Sequence, residues 1–202
     1  MRKSLILVML VTTGCSSMGT TSLSSVTAGE SDRLQTINHY VRVRSTAPSM
    51  NGQIAQLYLR ERASGRVLAR GGAGVVLFVH GAGTPAEVAF DAPGEYSWMR
   101  FLAEAGFDTF SVDMTGYGRS TRPTIMNDPC NLARNQQTPL VPGVMPAPCA
   151  PAFTGAATTI ASDWNDIGAA VDHVRALRHV DRVSVVAWSL GGPRAGGYAA
   201  QH

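Results

Sequence analysis

The 202-residue chain reads as an α/β protein: a mostly parallel sheet with flanking helices, opened by an N-terminal antiparallel strand pair. Three observations predict this class. Val75 to Val79 is an unbroken apolar run, the pattern of a strand covered on both faces. Phe107 to Met114 is a second strand, separated from the first by helical spacing, and strand, helix, strand in one sheet implies a parallel crossover. Val183 to Gly192, Val-Ser-Val-Val-Ala-Trp-Ser-Leu-Gly-Gly, is a third β-branched run that ends in small residues around a serine.

In chain order, Arg2-Lys3 and the apolar Leu5 to Val11 form an export signal over residues 1–14, too short to span a bilayer. Gly14-Cys15 resembles a lipoprotein cleavage box. That resemblance implies a lipidated Cys15, membrane attachment and a place in the bacterial cell envelope, periplasmic or on the outer membrane. Thr12 stands where the pattern usually has Leu, so ordinary cleavage and secretion stay open as the alternative. Residues 15–36, rich in Ser, Thr and Gly, read as a flexible tether. The domain then occupies residues 37–202.

Thr36 to Ser45 alternates Ile37, His39, Val41 and Val43, and Gln53 to Arg62 alternates in the same way. Asn51-Gly52 lies between them as a turn signal, so the two form an antiparallel pair. Tyr96 to Ala105 has Met99, Leu102 and Ala105 at helical spacing, with Gly106 as its stop. Residues 121–157 form an insert whose stretch to Gly155 holds seven prolines, long for a connection without elements of its own. Cys130 and Cys149 lie inside it. With Cys15 lipidated they are an even pair in an oxidising compartment. Joined, they would close a loop of about 20 residues worth roughly 3 kcal/mol, stapling the insert near the rim of the site; two free thiols in a loose insert are the alternative.

Thr159 to His179 is an amphipathic helix through Ile160, Trp164, Ile167, Val171, Val174 and Leu177. Trp164 is therefore expected in the core and His173 and His179 in solvent. Asp163 and Asp166 near its start and Arg175, Arg178 and His179 near its end suit the macrodipole. Pro193 to Gln201 begins a further helix. Net charge is +3, mild and scattered, which argues against a nucleic-acid partner. Nothing in the sequence asks for a metal or another cofactor.

Ala187, Ser189 and Gly191 fit G-x-S-x-G with Ala at the first position, a strand-to-helix turn that only small neighbours allow. Val75-Val-Leu-Phe-Val leads into His80-Gly81-Ala82-Gly83. Asp113-Met-Thr-Gly116-Tyr-Gly118-Arg-Ser120 follows the next strand. These three motifs, in this order, resemble the α/β-hydrolase superfamily over roughly residues 37 to 202. The resemblance implies a serine esterase or lipase-like enzyme acting on a small-molecule ester. Ser189 would be the nucleophile at an elbow closed by Gly191, with Leu190 and Ala82 supplying the oxyanion-hole N–H groups. His80, Gly81 and Gly83 would shape the loop, His80 bracing it by hydrogen bonds rather than acting as base. Ser at the elbow disfavours the dehalogenase and epoxide-hydrolase branches, which place Asp there.

In that family the acid and the histidine of the triad follow the serine. Thirteen residues follow Ser189, with no carboxylate and one histidine, His202, which a helix would carry roughly 18 Å away at 1.5 Å per residue. The expectation is a chain truncated after the elbow, with the C-terminal strands missing, an open apolar strand edge, poor solubility and little activity alone. Two other readings stand beside it. One is a hydrolase-like envelope protein or fragment without turnover. The other is a dinucleotide-binding module on Gly81-Ala-Gly83-Thr-Pro-Ala86, which is a weak match because the next helix signal comes some ten residues later and no acidic residue closes a second strand.

Overall fold

The computed structural model describes residues 31–202. The signal segment, Cys15 and the tether as far as Glu30 lie outside the described residues. A five-stranded sheet has the order β1-β2-β4-β3-β5. The strands are β1 (Leu34–Arg44), β2 (Ile54–Ser64), β3 (Val75–Val79), β4 (Asp108–Val112) and β5 (Ser184–Ala187). β1 and β2 pair antiparallel along their whole length, from Leu34 opposite Ser64 to Arg44 opposite Ile54. β1 thus begins inside the stretch read as tether. β2 runs antiparallel to β4, while β3 is parallel to both β4 and β5.

The pleat of β3 divides the core. Val75, Leu77 and Val79 face one layer with Phe110, Val112 and the long helix; Val76 and Phe78 face the other with Ala86, Phe90 and Met99. Successive side chains of a strand point to opposite faces, so a strand clothed on both sides must be apolar throughout, and all five residues of β3 are buried. Helices α1 (Gly65–Arg70), α2 (Ala86–Phe90), α3 (Trp98–Glu104), α4 (Arg134–Gln137), α5 (Ile160–Arg178) and α6 (Gly191–Ala199) complete the described elements, with short 3-10 turns. α2 and α3 cover one face; α5 and α6 cover the other. No helix among the described residues is long and apolar enough to cross a membrane.

α5 is capped reciprocally. The Thr159 hydroxyl accepts from Ser162 N–H at 3.1 Å, and the Ser162 hydroxyl accepts from Thr159 N–H at 2.9 Å. It stops at His179, in the left-handed region with φ 52°. Its C-terminal end is pinned by Arg178, which pairs with both Glu61 and Asp108. Burial raises the Asp108 carboxyl to about 7, helped by the neighbouring Glu61 charge and opposed by Arg178. Two side chains differ from the expectation. His173 is not in solvent: it is half-buried, its ring 5.5 Å from that of His39, because α5 lies across β1 at this point. Trp164 is half-buried rather than central; it packs against Gly197 of α6, where any Cβ would collide with its indole.

Residues 121–157 form short turns and α4 rather than one open loop. Cys130 and Cys149 are joined, with Cα atoms 5.2 Å apart. Gln137 fills the loop they close. Its amide nitrogen donates to the carbonyls of Cys130, Leu132 and Cys149 at 3.2, 2.8 and 3.2 Å, and its oxygen accepts from Cys149 N–H at 2.9 Å. The insert meets the body through Ala157 at Ser49, Thr121 at Gln56, and Met126 against Gly116.

Candidate active site

β4 and β5 flank β3, and the chain leaves β3 for α2 on one face but leaves β5 for α6 on the other. Between two such strands the following loops diverge and open a crevice at the carboxyl ends, the usual ligand position in open α/β sheets. The loop after β3 begins at His80; the turn after β5 carries Ser189.

Ser189 sits in the left-handed region with φ 57°, one of two such non-glycine residues among those described. A Cβ there crowds the following carbonyl at roughly 1–2 kcal/mol, so the surroundings must impose the conformation. They do so through backbone bonds: Trp188 N–H to Val79 O at 3.2 Å, Gly191 N–H to Trp188 O at 2.9 Å and Gly192 N–H to Ser189 O at 2.9 Å. Two glycines allow the approach. A Cβ on Gly81 would lie 2.7 Å from Ser189 Cβ and 3.1 Å from its Oγ, and one on Gly191 would run into the Val79 carbonyl oxygen. Ser189 itself is exposed. The structure therefore brings together Ser189, Gly81, Gly191 and Leu190, which precedes the first turn of α6. Ala82 and Gly83 lie exposed on the loop, Gly83 with φ 82°. Neither Ala82 N–H nor Leu190 N–H has an acceptor among the described residues.

His80 is fully buried. Met114 N–H donates to its Nε2 at 3.1 Å, which leaves the proton on Nδ1, 2.7 Å from Gly81 O. Burial, with the nearby Arg194 charge, holds this imidazole below its ordinary pKa, so it stays neutral with both nitrogens occupied. Asp113 ties the third motif: its carboxylate accepts from Ala86 N–H at 2.7 Å and Arg119 N–H at 2.9 Å. A Cβ on Gly118 would overlap that carboxylate, which explains the glycine. The contact with Ala86 also corrects the helix argument used against dinucleotide binding. A helix does open at Ala86, the third small residue, but its first N–H is taken by Asp113 rather than left for a phosphate.

Three polar residues of the site were missed by pattern. Asp163 and Asp166 are buried rather than placed at the surface for the macrodipole. Asp163 pairs with Arg194, itself buried on α6, at 2.6 Å, and burial raises its pKa. Asp166 accepts from Thr115 N–H at 2.8 Å, and burial pushes its carboxyl up to about 6. Helical spacing did carry a signal: 163, 166, 167 and 170 lie on one stripe, and that stripe faces the sheet.

Among the described residues no imidazole is hydrogen-bonded to Ser189; His80 is spent on Met114 and Gly81. His39 bonds Glu61 at 2.6 Å, His173 packs on His39, His179 caps α5, and His202 stacks on Tyr198. Among the described residues no group of three or more His, Cys, Asp or Glu is placed to hold a metal ion.

A serine in a forced turn, facing a glycine loop at a strand switch, is the arrangement of one large class of enzymes. A family model described as alpha/beta hydrolase fold matches residues 74–202, and the chain belongs to that family. Among solved structures, an epoxide hydrolase from Vigna radiata is similar at TM-score 0.45 and 16% identity, over 81% of this chain and 34% of that one. Potato (Solanum tuberosum) epoxide hydrolase I is similar at TM-score 0.47 and 19% identity, over 81% and 35%. The chain thus spans about a third of the length of these enzymes. No curated protein matches it.

Proposed function

We propose that Ser189 is the nucleophile of a serine hydrolase acting on carboxylic esters through an acyl-enzyme. The observation that carries this reading is the backbone of Ser189, held at φ 57° against Gly81. Strain at an exposed serine has no packing purpose, and such strain collects at functional sites. The Oγ adds to the ester carbonyl, the oxygen takes the negative charge, and the N–H groups of Ala82 and Leu190 receive it. Collapse breaks the bond to the alkoxide, which leaves as the alcohol with the proton that Oγ gave up; water then adds to the acyl carbon, releases the acid and returns a proton to Oγ.

Epoxide opening, named for the structural neighbours, suits this serine poorly. Attack by a hydroxyl would leave an alkyl ether, which water does not cleave; attack on an acyl carbon leaves an ester, which it does. The reading also places the protein outside the cytoplasm, attached through a lipidated Cys15, on the strength of the N-terminal sequence alone. A second reading, a hydrolase fold without turnover, is favoured by one observation: among the described residues no imidazole is hydrogen-bonded to Ser189.

A fluorophosphonate probe tests the first reading. The label should map to Ser189 and vanish in Ser189→Ala; labelling elsewhere, or none, overturns it. Any turnover of a nitrophenyl ester should be lost in Ser189→Ala; turnover that survives the substitution overturns the assignment of Ser189.

A further inference from the structure

Arg194 is 3% exposed and spends its guanidinium on the loop after β3. Its Nε donates to Asp163 at 2.6 Å, while one terminal nitrogen donates to both His80 O and Gly81 O at 3.0 Å. Its face lies 5.3 Å from the centre of the Tyr117 ring, and that ring is 4.6 Å from His80. The Gly81 carbonyl therefore receives two donors, Arg194 and His80 Nδ1, which fills both of its lone pairs. The same peptide unit ends in the N–H of Ala82. A trans peptide is planar, with its C=O and N–H opposed, so a carbonyl fixed at one end fixes the N–H at the other.

We propose that Arg194, held by Asp163, is a positioning residue that aims the Ala82 N–H by clamping the Gly81 carbonyl. This deepens the assignment of Ala82 as an oxyanion donor and rests on it. A buried ion pair is a weak source of stability, and well-packed apolar residues often replace one without loss. What apolar residues cannot supply is a donor aimed at two successive carbonyls. Arg194 also lies one helical turn from Leu190, whose carbonyl accepts from the Arg194 N–H at 3.3 Å. One residue therefore ties the helix behind one proposed donor to the peptide that carries the other. A hydrogen bond from a cation further polarises the Gly81–Ala82 peptide, strengthening its N–H as a donor.

The test uses the full chain, 15N-labelled, in three forms: wild type, Arg194→Lys, and the double variant Arg194→Met with Asp163→Leu, which leaves neither charge orphaned. Amide order parameters are read at Ala82, Leu190 and Gly118. Ala82 should be rigid in wild type, near about 0.85, and fall below about 0.6 in the double variant, with Leu190 and Gly118 unchanged. Arg194→Lys keeps the charge but loses the planar fork, and should give an intermediate value. An Ala82 amide that stays rigid in the folded double variant overturns the proposal. Should that variant not fold, an unchanged Ala82 in Arg194→Lys overturns it. Fluorophosphonate labelling is followed in parallel and should slow by about 10–100-fold, short of the 10²–10³ expected for deleting a donor. Absence of labelling in every form would sink the hydrolase reading while leaving the Ala82 order to decide the clamp.

Discussion

Replacing Ser189 by glycine should make the protein more stable. Ser189 holds φ 57°, where a Cβ costs roughly 1–2 kcal/mol. Ser189 is exposed, so little packing is lost with its side chain. Against the relief stands the greater freedom of glycine in the unfolded chain, about 0.4–1 kcal/mol. The net gain is about 0.5–1 kcal/mol, or roughly 1–4 °C in melting temperature for a domain of this size. The proper reference is Ser189→Ala, which removes the hydroxyl but keeps the Cβ and so keeps the strain. Urea melts of the wild type, Ser189→Ala and Ser189→Gly should place the first two together and the glycine variant above both. A glycine variant no more stable than the alanine variant would refute the claim that the turn is strained, and with it the main support for Ser189 as nucleophile.

Three further outcomes follow from the same geometry. Gly191→Ala drives a Cβ into the Val79 carbonyl oxygen, and backbone cannot yield as a flexible side chain can; a loss of about 1–3 kcal/mol is expected in urea melts, with loss of labelling at Ser189. The Asp166 carboxyl sits near 6 in the folded protein, above the ordinary carboxylate value of 3.8, so the folded state binds the extra proton and stability falls as pH rises through that window. Asp166→Asn, which can still accept from Thr115, should leave stability unchanged below pH 4 and raise it by about 1–3 kcal/mol at pH 8, read from melts at the two pH values. Replacing Cys130 and Cys149 together by Ser opens a loop of sequence separation 19 and should cost about 3 kcal/mol; dithiothreitol should do the same to the wild type and nothing to the variant.

Where the fold is set by exclusion, the sequence was readable. Only an apolar strand can be buried on both faces, and β3 reads so at every position. Only glycine leaves room beside Ser189 or beneath Val79, so Gly81 and Gly191 mark the approach of two loops before any coordinates are known. Where the fold is set by pairing across a long separation, local pattern fails. Arg194 in a short helix looks like an ordinary surface residue, and its burial depends on Asp163, 31 positions earlier. Asp163 and Asp166 satisfy the rule for acidic residues at a helix start, which hid their second property, that they lie on the stripe facing the sheet. α1 and α2, of six and five residues, are too short for periodicity to register.

The site and the sheet edge are held by different contacts, and this separates function from solubility. The bonds that force the Ser189 turn end on Val79 or within the turn itself, so β3, buried throughout, carries the strain. β5 lends one side to β3 and among the described residues leaves the other unpaired. Val185 on β5 and Trp188 just beyond it are 37% and 53% exposed. An open strand edge with apolar side chains invites pairing with another chain, and a lysine there is the usual guard. Val185→Lys should therefore lower the self-association of the chain measured by sedimentation velocity, while the melting behaviour of the Ser189→Gly and Ser189→Ala pair stays as in the parent. If the lysine variant associates as strongly as wild type, association does not run through this edge; if it abolishes the difference between the glycine and alanine forms, β5 rather than β3 governs the turn.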